Sequence, residues 1–126
     1  MAGQRVPRTH AGKTWTKARY FSFIRSALRR AASNYPVKYQ VKDQARRVKP
    51  KGKEGRHRFE YHCAHCNEWF PDKEVEVDHI IGAGSLKEYT DLPGFVERLF
   101  CEPRGMQILC KPCHQLKTND ERRARK

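Results

Sequence analysis

The chain has 126 residues, a length that suits one compact domain with at most an appendage and excludes two full-sized domains. Only 37% of residues are hydrophobic and 33% are charged, so the core must be thin and a staple is expected: disulfide, metal or partner. Lys+Arg total 27 against 14 Asp+Glu, a net charge of +13, and no stretch approaches the roughly 18 apolar residues that would span a bilayer.

Residues 1–14 are polar and basic, with Gly3, Pro7 and Gly12, and are expected to be disordered in isolation. They lack the apolar run of a secretion signal, so reducing, cytoplasmic surroundings are expected. From Thr16 to Ser33 the pattern changes. Tyr20, Phe21, Ile24, Ala27, Leu28 and Ala31 recur at steps of three and four, which predicts a helix over about 16–33. Thr14 or Thr16 is placed to cap its start, and Asn34-Tyr35-Pro36 ends it. Arg19, Arg25, Arg29 and Arg30 lie largely off the stripe, as on a solvated face.

Val37, Tyr39 and Val41 alternate, as do Phe59 and Tyr61, and Pro50-Lys-Gly-Lys-Glu-Gly55 separates the two runs. This reads as a β-hairpin with a basic tip. Lys49, Lys51, Lys53, Arg56 and Arg58 at that tip can straddle a phosphate backbone, or simply be solvated.

The charge is uneven. Residues 1–58 hold 17 Lys/Arg against Asp43 and Glu54, and residues 59–126 hold 10 against 12 acids. A basic extension over 1–58 joined to a near-neutral module over 59–126 is expected. Its natural partner is a polyanion, most often nucleic acid. An acidic membrane surface would require a basic helix with exposed bulky apolar residues, and is the weaker reading.

Cys63-Ala-His-Cys66 and Cys110-Lys-Pro-Cys113 are two C-x-x-C knuckles with 43 residues between them. Each offers two corners of a Zn²⁺ tetrahedron, and together they make a closed four-thiolate, structural site. Zinc binding can supply on the order of 10 kcal/mol of folding energy, enough to offset a thin core. His62 and His65 are read as surface or supporting groups, Cys101 as a small buried side chain, and Trp69 and Phe70 as core.

Between the knuckles lies Glu74-Val-Glu-Val-Asp78-His79-Ile80-Ile81, a short strand that delivers Asp78 and His79 near its end. His114 follows the second knuckle and opens a helix with Lys117 one turn on. If the thiolate site ties strand to helix, Asp78 and His114 converge on a second cation, Mg²⁺, Mn²⁺ or a later divalent ion. His79 beside them suits proton acceptance near neutrality.

Cys63-x-x-Cys66, Val77-Asp78-His79-Ile80 and Met106-Gln107-Ile108-Leu109-Cys110-x-x-Cys113-His114-x-x-Lys117-Thr118, in this order, resemble the HNH endonucleases. The matching region runs from about 59 to 120, and Asp91–Phe100 looks like an insertion of many bacteriophage members. The resemblance implies an α+β chain built on a small ββα-metal, treble-clef-like module, stapled by four cysteines and extended by the basic helix and hairpin. It implies DNA phosphodiester hydrolysis leaving 5′-phosphate and 3′-hydroxyl ends, by nicking or double-strand cleavage. Asp78 and His114 would hold one catalytic Mg²⁺, Mn²⁺ or Ni²⁺, and His79 would be the general base. Lys117 would reach a phosphate or be solvated. DNA is the implied partner, with phage genome processing or packaging beside a terminase subunit as the implied setting.

Two positions depart from the family pattern. Gly82 stands where a proline is common, and Gly105 stands near the place of the middle Asn, which braces the catalytic loop. Gln107 or a backbone contact is the expected substitute. The rival reading is a non-catalytic zinc-stabilised DNA-binding or scaffold module, which explains charge and cysteines but not Asp78, His79 and His114.

Overall fold

The computed structural model describes residues 5–124. Its strands and helices follow in the order β1 Arg8–His10, β2 Trp15–Thr16, α1 Lys17–Ala32, α2 Pro36–Gln44, β3 Arg46–Val48, β4 Phe59–His62, β5 Trp69–Phe70, β6 Val75–His79, α3 Leu92–Leu99, β7 Met106–Cys110 and α4 Lys111–Ala124. Short 3₁₀ turns precede β6, α3 and β7. This is an α+β chain, and none of its described helices is long and apolar enough to cross a membrane.

The elements group into two units. The first takes residues up to Tyr35 together with Gly82–Phe100; the second takes Pro36–Ile81 together with the residues from Cys101. The expected division at residue 58 does not coincide with these boundaries, which fall after Tyr35, Ile81 and Phe100. The basic extension is shared between the units, because the apolar stripe of α1 finds its cover in the 82–100 segment.

In the first unit, β1 and β2 form a short antiparallel hairpin whose turn carries positive φ at Ala11, Gly12 and Lys13. This corrects the expectation of disorder over 1–14 for its described residues; residues 1–4 lie outside the description. Thr16 caps α1 by accepting the Arg19 N–H at 3.2 Å, the role foreseen for it. Phe21 is buried with Ala83, Leu86, Phe95 and Leu99, and Tyr20, Ile24 and Leu28 pack against them. The ring of Tyr89 meets Phe21 edge-on at 5.0 Å, and its hydroxyl donates to Tyr20 Oη at 2.8 Å. Ahead of α3, Asp91 accepts the backbone N–H groups of Lys87 and Glu88, which holds its carboxyl below the ordinary value.

In the second unit, α2 replaces the expected first strand of the hairpin. Val37 and Val41 are both buried, four residues apart on one helix face, while Tyr39 is 51% exposed. Pro36 opens α2, since its missing N–H is harmless at a first helical position. The hairpin itself exists with a shorter arm: Arg46, Arg47 and Val48 pair with Tyr61, Glu60 and Phe59. β5 adds to β4, and β6 and β7 make a separate antiparallel ribbon in which Val75 faces Cys110 and Asp78 faces Gln107.

Candidate functional site

The four cysteines come from three elements. Cys63 and Cys66 bracket the turn between β4 and β5, where Asn67 takes a positive φ and Cys63 N–H donates to Glu68 O at 2.9 Å. Asn tolerates that left-handed backbone better than other side chains bearing a Cβ. Cys110 ends β7, and Cys113 lies in the first turn of α4. The Ala64 N–H donates to Ile108 O at 2.8 Å, locking the first knuckle to β7.

All four sulfur atoms lie within 4.8 Å of one another, and all four thiols are free. The Cys66 and Cys110 sulfurs are 4.0 Å apart, about twice a disulfide bond and close to the ~3.8 Å edge of a tetrahedron with 2.3 Å bonds. Among the described residues this is the only cluster of three or more ligating side chains, and it is positioned to hold a metal ion.

The thiols share that space unequally. Burial pushes Cys63 up, but the backbone N–H groups of Cys110, Cys66 and His65 outweigh it and bring its pKa down to about 6. Contact with Cys110, together with burial, pushes Cys113 up to about 12. Four negative sulfurs this close repel one another, and a bound cation is what allows all four to deprotonate together.

The same ribbon carries the second constellation. Glu76 and Asp78 are two residues apart on β6, so the strand pleat puts them on one face. His114 and Lys117, three apart on α4, meet that face. His114 Nε2 lies 3.6 Å from Asp78 Oδ1, and His114 Nδ1 lies 3.0 Å from Glu76 Oε2. Asp78 is 7% exposed, and its other oxygen is fully engaged: Lys117 Nζ donates to Oδ2 at 2.5 Å and Gln107 Nε2 at 3.0 Å. The carboxylate is thus held with one oxygen free toward the imidazole. At 3.6 Å the two atoms stand a little wider than the ~3.4 Å edge of a tetrahedron with 2.1 Å bonds.

Lys117 does more than face a carboxylate. Its ammonium also donates to His79 O at 2.5 Å and Ile80 O at 3.1 Å. Sequence reasoning offered a phosphate or solvent to Lys117; the structure gives it the end of β6. His79, the last residue of β6, is half-buried and pairs with Met106. The Ile80 N–H donates to Gly105 O at 2.9 Å, so backbone, Gln107 and Lys117 together brace the loop where an Asn was missed. A Cβ on Gly105 would sit 2.7 Å from Cys101 Sγ and 3.0 Å from its Cβ, so Asn does not fit there. Cys101 thereby gains a packing role.

The β3–β4 loop, rather than the ribbon, carries Lys51, Lys53, Arg56 and Arg58. Lys51, Arg56 and Arg58 are exposed, and Arg58 lies over the Phe59 ring at 5.2 Å. Lys53 is paired with Glu60, a fully buried carboxylate that Arg47 and His57 also contact at 3.1 and 3.3 Å. Burial would raise the Glu60 pKa, but bonds from Lys53, Arg47 and His57 hold it at about 2. Lys53 therefore anchors the loop. Arg47 stacks on Trp69 at 4.1 Å, which makes that half-buried ring part of the scaffold. Sequence reasoning missed Glu60 and Glu76. For Glu76 the signal was present as alternation with Asp78; for Glu60 it was an acid just after residues 38–58, a stretch with nine cations and only Asp43 and Glu54 as acids.

Comparison with family models, with curated proteins and with solved structures finds no match.

Proposed function

We propose that the chain is a metal-dependent endonuclease of the HNH type, hydrolysing DNA phosphodiester bonds. The observation that carries this reading is the Asp78 Oδ1 to His114 Nε2 spacing of 3.6 Å, with the remaining atoms of both side chains already engaged. In this reading the four cysteines hold a structural zinc and make the knuckle, ribbon and α4 a treble-clef-like ββα module. Asp78 and His114 hold the catalytic divalent ion, which when bound neutralises charge developing on the phosphate and the leaving oxygen. His79 accepts the proton of the attacking water. Lys117 and the Gly105 carbonyl fix the backbone immediately after that histidine. Lys51, Arg56 and Arg58 grip phosphates without reading bases, so affinity is expected without sequence choice.

A phage origin and a place in genome processing or packaging beside a terminase subunit go with this reading. Cleavage of supercoiled plasmid in Mg²⁺, Mn²⁺ or Ni²⁺ tests it, with His79→Ala beside the parent chain. A general base contributes about 10²–10⁴-fold, and a rate loss of that order is expected for His79→Ala. Metal-dependent cleavage untouched by His79→Ala removes the assigned base. DNA binding with no cleavage in any of the three metals makes the chain a zinc-stabilised binding or scaffold module instead.

A further inference from the structure

We infer that the outer face of α1, in the first unit, is a stacking platform for single-stranded DNA: Phe23 receives an unpaired base, and Arg19 and Arg30 hold phosphates to either side of it. This goes beyond the nuclease reading and takes from it only the choice of DNA over RNA. Phe23 is 55% exposed, alone among the large apolar side chains of α1. One exposed ring is ordinary, but its neighbours set this one apart. Arg19 stands four residues before it, Ser26 three after and Arg30 seven after, so the four share one helix face, turned away from buried Phe21. All four are exposed. From Arg19 to Arg30 the face runs about 16 Å.

The hairpin fixes the platform. Trp15 pairs with His10 across β1 and β2, and its ring centroid lies 5.1 Å from that of Phe23, with 53° between the planes. The guanidinium of Arg19 sits over Trp15, 4.9 Å from the ring centroid. Trp15 is thus capped by a cation, and Phe23 is the outward ring with an arginine already held beside it. Residues 1–35 carry eight cations and no acid, and the ion pair described there is that of Lys17 with Glu88. Such a surface complements a polyanion. A membrane surface would call for several exposed bulky apolar residues on the helix, and α1 offers one. Duplex DNA keeps its base faces against one another, whereas the free face of an unpaired base stacks on any aromatic ring.

The test uses the full zinc-loaded chain with no added divalent ion, so that nothing is cleaved. Fluorescence anisotropy reads its affinity for labelled oligo(dT), oligo(rU) and duplex DNA of equal length. Alanine is the best helix former, so Phe23→Ala on this exposed face leaves α1 intact. Phe23→Ala is expected to weaken oligo(dT) binding about tenfold and duplex binding less than twofold, and Phe23→Trp to keep the parent affinity. Arg19→Ala and Arg30→Ala are each expected to flatten the oligo(dT) salt slope by about 0.7. Phe23→Ala that weakens both DNA forms equally, or neither, overturns the proposal, and tighter binding of oligo(rU) overturns the choice of DNA. Binding to phosphatidylserine vesicles, or dimerisation, that Phe23→Ala abolishes while oligo(dT) affinity stays intact assigns the face to a membrane or a second copy instead. Oligo(dT) binding through Phe23 in a chain that cleaves nothing with any metal overturns the nuclease reading alone. Cleavage in a chain whose oligo(dT) affinity ignores Phe23→Ala overturns this proposal alone.

Discussion

Two carboxylates of the second unit show opposite uses of burial. Asp78 is buried with one oxygen left free toward His114, whereas Glu60 is buried with Arg47, Lys53 and His57 all turned onto it. The first arrangement suits a cation that arrives later; the second is complete and serves the loop. Replacing Glu60 with Gln strands Arg47 and Lys53 against a neutral group, and a loss of about 1–3 kcal/mol is expected in denaturant unfolding at pH 7. The sign of the pH effect follows from the depressed pKa. Stability from Glu60 is present above its ordinary 4.5 and is lost as pH falls toward about 2. Acid unfolding of the parent should therefore converge on that of Glu60→Gln over this window. Curves that stay parallel would refute the pairing. At this scale the sequence showed Asp78, His79 and His114, because their order around the knuckles is distinctive. It concealed Glu60, Glu76 and the bracing role of Lys117, because each depends on which strand face meets α4 or the loop.

Among the elements, the knuckles and β6 were legible from local spacing, and α1 from a stripe long enough to show its period. The segment Pro36–Gln44 misled because Val37, Tyr39 and Val41 fit two periods at once, and only burial of Val37 with Val41 chooses the helix. The hairpin β1–β2 was hidden because its strands have three and two residues. The two units draw on different cores. Phe21, Phe95 and Leu99 pack with one another, while Cys63, Leu109, Cys110 and Cys113 cluster with Phe70 beside them. Removing metal with a strong chelator should therefore collapse the dispersion of the amide resonances of β6, β7 and α4 and spare those around Phe21 and Phe95. Loss of both sets together would show that the thiolate site holds the whole chain.

On the scale of the whole molecule, charge is the feature the sequence displayed most openly and the structure divides most finely. The chain carries +13, and α1 alone holds Lys17, Arg19, Arg25, Arg29 and Arg30 with no acid. Burial and the neighbouring Arg25 both lower the Arg29 pKa, while Lys17 is paired with Glu88. Duplex affinity should fall steeply with salt, and each phosphate contact removed should flatten the log–log slope by about 0.9. Lys51→Ala, Arg56→Ala and Arg58→Ala are each expected to do so, while Lys53→Ala should act mainly on stability through Glu60. A salt slope that Lys53→Ala flattens as much as Lys51→Ala would show that Lys53 faces DNA. The division after Tyr35, Ile81 and Phe100 was not legible, since the partner of α1 lies more than fifty residues on, between Asp78-His79 and His114.

The nuclease reading stands or falls on whether Asp78 and His114 take a cation. Diffraction from crystals of the zinc-loaded chain soaked in Mn²⁺, recorded at the manganese edge, looks at that spot directly. An anomalous peak within about 2.0–2.2 Å of both Asp78 Oδ1 and His114 Nε2 is expected, distinct from the thiolate site. Full manganese signal elsewhere, with none between those two atoms, would contradict it.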